Sequence, residues 1–279
     1  MTALANPRHA AFEKKLKTVM LAFAREFPFW GVMSERCSFR LTENKGYCDT
    51  ACIDKTGNVT FNLDFYEKLT DRQFLFLIAH ELSHFIFEHH SRQGSRDHLP
   101  WNMATDFAIN LMLKFQFEKP EFLIPDICLD EKYEDMTAER IYEDLMKNPP
   151  PKGGRRVFVV DLKEGEGEGD TGVGEGDGPQ EGDIVVIRDR RIPLPEKTPG
   201  KSHEQYQQEM KDYIKQAVCE AYATAKSMGK MPSGMERIIV GHLKPKVNWL
   251  QALRQKLRFG VSRRQPRDVN WMQPNRRFL

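Results

Sequence analysis

The sequence predicts an α+β fold: a small mixed sheet packed on a long buried helix, followed by a helical C-terminal part. Two observations carry that expectation. Strand-like alternation is confined to a short stretch, roughly residues 36–65. The segment after it, from Phe74 to Phe87, is apolar nearly all round, the mark of a central buried helix.

Taken in order, Ala10 to Phe27 reads as an amphipathic helix, with Phe12, Leu16, Val19, Met20 and Phe23 near helical spacing. Cys37 to Leu41 and Tyr47 to Ile53 read as strands joined through the turn-like Glu43-Asn44-Lys45-Gly46. Asn58 to Phe65 is a third strand, opened by Gly57. Thr70 with Gln73 forms a capping box for the long helix, which should continue to about His90. Pro100 can open the next helix, to about Phe115, and Thr137 caps another over 138–147. Helices are also expected from about Ser202 to Met228, from the capping box Ser233/Glu236 to about His242, and from Asn248 through Leu257.

This gives three regions: a core over 1–148, a hairpin or linker over 149–200, and a helical part over 201–279 that should complete a cleft. Within the second, Glu164 to Asp183 holds eight glycines and eight acids in twenty residues. Such a tract cannot bury enough apolar surface to offset chain entropy. It is expected to be the disordered tip of a hairpin between Val157-Phe158-Val159-Val160 and Ile184-Val185-Val186-Ile187, so that deleting it should barely change the melting temperature. Residues 241–279 carry ten Lys or Arg against one acid, Asp268, a local +9 within a net charge of +2. That tail reads first as a solvated helix face and otherwise suits an acidic partner; it lacks the basic–aromatic interleaving of a nucleic-acid binder, so nucleic acid is not expected. No apolar run is long enough for a membrane span, and the N-terminus has no apolar signal region. Five scattered cysteines fit a reducing compartment rather than a disulfide scaffold, hence a cytoplasmic location.

The chemistry is concentrated in His80-Glu81-Leu82-Ser83-His84, an HExxH sequence on the buried helix. Two histidines one turn apart point the same way and can share one Zn²⁺. Glu81, one residue on, reaches a water at the metal rather than the metal itself and suits a general base. A third ligand is required. His90 has the spacing of the extended HExxHxxGxxH pattern, but Phe87 stands where a glycine would turn the chain back. His98 sits in a polar segment. Asp106 is preferred, because Asn102, Asp106 and Asn110 form a polar stripe on an otherwise apolar helix, and such a stripe must face polar partners. Asn102 and Asn110 suit either support of the ligands or ordinary core hydrogen bonds. His89 and Arg92 at the helix end suit either support of the ligands or a charge complementing the helix dipole. Cys48 and Cys52 read as strand packing.

The segments HELSHFIFEHHSR, WNMATDFAIN, GKMPSGMERII and KPKVNWLQALRQKLR resemble a bacterial and phage family of zinc metallopeptidase-like proteins. In that family a zincin-like domain is usually followed by a von Willebrand factor A-like domain, which is expected to be absent here. The resemblance implies His80, His84 and Asp106 as metal ligands, Glu81 as the catalytic base, and Asn110, His89 and Arg92 as positions matching further family residues. It implies one zinc per chain and a peptide or protein substrate. The expected fold is zincin-like, with Asn58 to Phe65 as the sheet edge above the cleft. A rival reading keeps the metal without turnover, as an interaction module docking a protein such as an AAA+ ATPase.

Overall fold

The computed structural model describes residues 6–149, 161–163, 184–198 and 200–231. The chain divides into two compact units, Met1–Gly241 and His242–Leu279, and every described residue lies in the first. The helices expected after Ser233 and Asn248, the basic tail, the acidic glycine-rich tract and the run Val157 to Val160 fall outside the described residues.

Helix α1 (Pro7–Glu26) starts where the Asn6 side chain accepts the Arg8 N–H, with proline at the first turn. Its buried stripe is Phe12, Leu16, Val19 and Phe23. Phe27 breaks helical geometry, and Pro28 opens α2 (Pro28–Ser34), which buries Phe29, Trp30 and Met33. Three strands follow: β1 (Ser38–Thr42), β2 (Ala51–Asp54) and β3 (Asn58–Asn62). Gly57, at φ +80°, forms the turn between β2 and β3. A Cβ there would meet Cys37 Sγ at 3.2 Å and Phe85 Cζ at 3.3 Å, so both conformation and space require glycine.

The third strand stops at Asn62, not Phe65, because the Asn62 side chain accepts the Phe65 N–H and caps the helical turn α3 (Leu63–Tyr66). Helix α4 (Asp71–Ile86) begins at the expected capping box, with both reciprocal hydrogen bonds between Thr70 and Gln73 present. All thirteen residues from Phe74 to Ile86 are buried. The helix does not run on to His90. Glu88 adopts φ +51°, a left-handed conformation, and α5 (His89–Gln93) restarts in a new direction. The break therefore occurs without a glycine. It is held by Arg92, whose guanidinium donates to Phe87 O at 3.0 Å, and by the Trp101 indole, which donates to His89 O at 3.0 Å.

Helix α6 (His98–Gln116) begins two residues before Pro100, just after Asp97 at its N-cap, so His98 is helical rather than in a loop. Ala104, Phe107 and Leu111 of α6 pack with Ile141 and Leu145 of α7 (Ala138–Lys147) and with Tyr133 and Cys128 between them. Strands β4 (Asp161–Lys163) and β5 (Ile184–Arg188) complete a five-stranded sheet, and α8 (His203–Ser227) packs on α2 with its own capping box, Ser202/Gln205.

The sheet order β4-β2-β3-β1-β5 corrects two expectations. Strand β3 is central, parallel to β1 and antiparallel to β2, so it offers no free edge to a peptide. Its Val59, Thr60, Phe61 and Asn62 are all buried, which only an interior strand permits. Strand β5 pairs with β1, while β4 pairs with β2 at the far end of the sheet, so these two strands do not form a hairpin. The result is an α+β molecule with a small mixed sheet. Helix α4 lies against β2 on one side and α6 on another.

Candidate metal centre

Helix periodicity brings His80 and His84 to one face of α4, and the polar stripe of α6 faces them. His80 Nε2 and His84 Nε2 lie 3.0 Å apart. Asp106 Oδ1 lies 3.5 Å from the first and 3.2 Å from the second. Ligand atoms about 2.0–2.1 Å from a tetrahedral zinc are separated by about 3.3 Å. The triangle therefore has the size such an ion requires. Among the described residues this trio forms the one group of metal-capable side chains, with its donor atoms within 4.8 Å of one another. The three residues are 2%, 0% and 0% exposed, and Glu81 is likewise fully buried.

The tautomers follow from the partners behind the rings. Asn110 Nδ2 donates to Cys128 O at 3.0 Å, which turns its Oδ1 toward His80 Nδ1, 2.8 Å away. His80 Nδ1 must then carry the proton, leaving Nε2 bare on the side of the trio. His84 Nδ1 lies 3.1 Å from His89 Nδ1. With its Nε2 toward the trio, His84 is the donor of that pair and His89 the acceptor. This arrangement of imidazoles held from behind is how proteins orient metal ligands.

The electrostatics agree. Burial pushes the His84 pKa down to about 4, against the opposing effect of Asp106, so the ring is neutral and able to donate a lone pair at neutral pH. Burial likewise drives His89 well below the ordinary histidine value. Burial opposes ionisation of Asp106, but the closeness of His80 and His84 outweighs it and holds the carboxyl below its ordinary value. The donor set is thus two neutral nitrogens and one carboxylate oxygen, a set suited to zinc.

Other candidates are placed elsewhere. His90 Nε2 donates to Ile53 O at 2.9 Å. It is excluded from the trio by this bond, not by a continuous helix as the motif suggested. His98 lies at the start of α6, 3.3 Å from the Asn102 amide and 3.3 Å from Gln93 Oε1. Arg92 pairs with Glu139 at 2.7 Å and donates to Phe87 O at the end of α4. Cys48 and Cys52 are buried free thiols, but only Cys52 lies on a strand, because β2 starts at Ala51 rather than at the expected Tyr47. Burial raises the thiol pKa of Cys37 to about 12 and also raises that of Cys128, so neither supplies a thiolate at neutral pH. The Cys128 carbonyl and the Trp101 indole, which hold Asn110 and the α5 turn, carry no sequence signal, since both act across the fold.

No helix among the described residues is long and apolar enough to cross a membrane. This chain matches no curated protein and no solved structure. A family model does match it over residues 11–279, with no von Willebrand factor A-like domain shown, and the chain belongs to that family, described as "Putative metallopeptidase domain".

Proposed function

We propose that the protein is a zinc-dependent peptidase of zincin-like fold, with His80, His84 and Asp106 holding one Zn²⁺ and Glu81 acting as general base. The observation that carries this reading is the convergence of two bare imidazole nitrogens and a carboxylate oxygen at 3.0–3.5 Å, next to a buried glutamate in the same helical turn. An ion held there supplies Lewis acidity to a carbonyl and acidifies a water. His80, His84 and Asp106 would supply three ligands, the number that a catalytic zinc site takes from the protein. Glu81, outside the trio, takes the proton of the attacking water and returns it to the departing amine. Asn110 and His89 hold the two rings in the tautomer that leaves Nε2 available. Asp106 brings the net charge of ion and ligands to a single positive charge.

Complete burial of the four residues favours a second reading. Under it the metal stabilises a module that docks a protein partner, an ATPase for example, without turnover. One experiment separates the two. The full chain, purified in zinc, is assayed for metal content and digested against an unbiased peptide library beside Glu81→Gln. A peptidase holds about one zinc per chain in both proteins and cleaves only as wild type. A zinc-loaded wild type that leaves the library intact supports the docking module.

A further inference from the structure

A cavity of about 340 Å³, lined in part by Phe85 of α4, does not include the trio or Glu81 among its lining residues. It falls within the size range of ligand pockets. Phe85 at the end of α4 and Met210 and Ile214 of α8 give it an apolar floor, and all three are buried. Its rim carries Lys55, from the β2–β3 turn, and Lys211, from α8, both exposed. Neither lysine forms an ion pair among the described residues. One carboxylate, Glu88, shares the rim, and the Ser91 hydroxyl lies 3.5 Å from it.

The turn bearing Lys55 is built rather than loose. Asp54 Oδ1 accepts from Thr56 N at 2.8 Å, from the Thr56 hydroxyl at 2.7 Å and from Asn58 N at 3.0 Å. Arg190 donates to Thr56 O at 2.6 Å. Glu81 and Phe85 are four residues apart on α4 and so share one helix face, one turn apart. The cavity wall therefore continues the face that carries the general base.

We infer that this cavity selects peptides in which an apolar side chain is followed by acidic residues, the side chain filling the floor and the carboxylates meeting Lys55 and Lys211. The inference rests on the peptidase reading for its substrate class. Charge complementarity fixes the occupant: an apolar floor alone accepts any aliphatic group, while two ammonium groups without an ion pair among the described residues, against one carboxylate, favour acidic neighbours.

The test uses the zinc-loaded full chain and three fluorescein-labelled decapeptides, carrying Leu-Asp-Glu, Leu-Lys-Lys or Gly-Asp-Glu at the centre. Binding is read by anisotropy with Glu81→Gln to block turnover, and cleavage is read with wild type. Leu-Asp-Glu is expected to bind about tenfold or more tightly than either control, with the gap narrowing in high salt. Lys55→Glu combined with Lys211→Glu, both on the surface, should reduce the preference at least fivefold. Equal binding of the three peptides, or a preference that survives the double variant, overturns the inference. Peptide bound with this preference but left intact by wild type removes the hydrolase reading and keeps the pocket. Cleavage with no preference does the reverse.

Discussion

Asp106 is where a single side chain decides most. It reaches the histidines from a separate helix, and its ionisation depends on them. Asp106→Ala should lower retained zinc from about one per chain to near zero, while His90→Ala, whose ring is committed to Ile53 O, should retain it. Metal analysis of the two purified variants checks this, and the reverse pattern would exclude Asp106 as ligand. Asn110→Ala frees the His80 ring and should weaken zinc roughly 10–100-fold in a chelator competition, the usual effect of losing a partner behind a ligand. The same residues set an acid limit on the metal-free fold. His84 titrates at about 4 when folded and near the ordinary 6.5 when unfolded. Between those values the unfolded chain binds more protons, so stability falls as pH drops from 6.5 toward 4, and His89 contributes with the same sign. Urea unfolding of the apoprotein at pH 7 and pH 5 should show the loss; equal stability at both would mean the histidines are not buried neutral.

The break after α4 is the element on which the site's surroundings turn. Continued helix would carry His89 and His90 away along the axis. The turn at Glu88 instead brings His89 back against His84 and His90 against β2. A left-handed residue with a side chain costs about 1–2 kcal/mol relative to glycine, partly offset by glycine's greater freedom when unfolded. Glu88→Gly should therefore stabilise by up to about 1 kcal/mol, and Glu88→Val should destabilise, both read as shifts in unfolding midpoint. A destabilised Glu88→Gly would show that the glutamate's own contacts hold the turn.

Among the described residues an aromatic cluster sits at the junction of α1, β3, α3 and α4. Phe12, Phe61, Tyr66 and Phe74 have ring centroids 4.7–5.7 Å apart. Phe61→Ala should cost about 3–5 kcal/mol. The sheet order also limits the chain between β4 and β5. These strands sit at opposite edges, four strand spacings or about 19 Å apart. At about 3.3–3.6 Å per residue, at least about six residues are needed to cross. Deleting 164–183 outright should therefore unpair an edge strand and lower the melting temperature, against the expectation for a free hairpin tip. Replacing the tract with about ten Gly/Ser residues should leave the melting temperature unchanged. Thermal melts of the two variants decide between these cases.

Local chemistry determined what the sequence could show by itself. The Thr70/Gln73 box, the helix start near Ser202, the apolar run of α4, the HExxH spacing and the polar stripe through Asp106 are all set within one or two helical turns, where geometry is nearly invariant. The start of α6 was missed by a few residues because Asp97, rather than Pro100, marks its first turn. Tertiary structure decided what depends on distant partners. The central place of β3 follows from burial on both faces. The left-handed Glu88 persists because Arg92 and Trp101 secure the carbonyls around it. The separation of β4 from β5 follows from pairing with β2 and β1, which no local pattern encodes. His89 and His90 are adjacent on the chain but part at the turn, and only the fold sends one to His84 and the other to a backbone carbonyl.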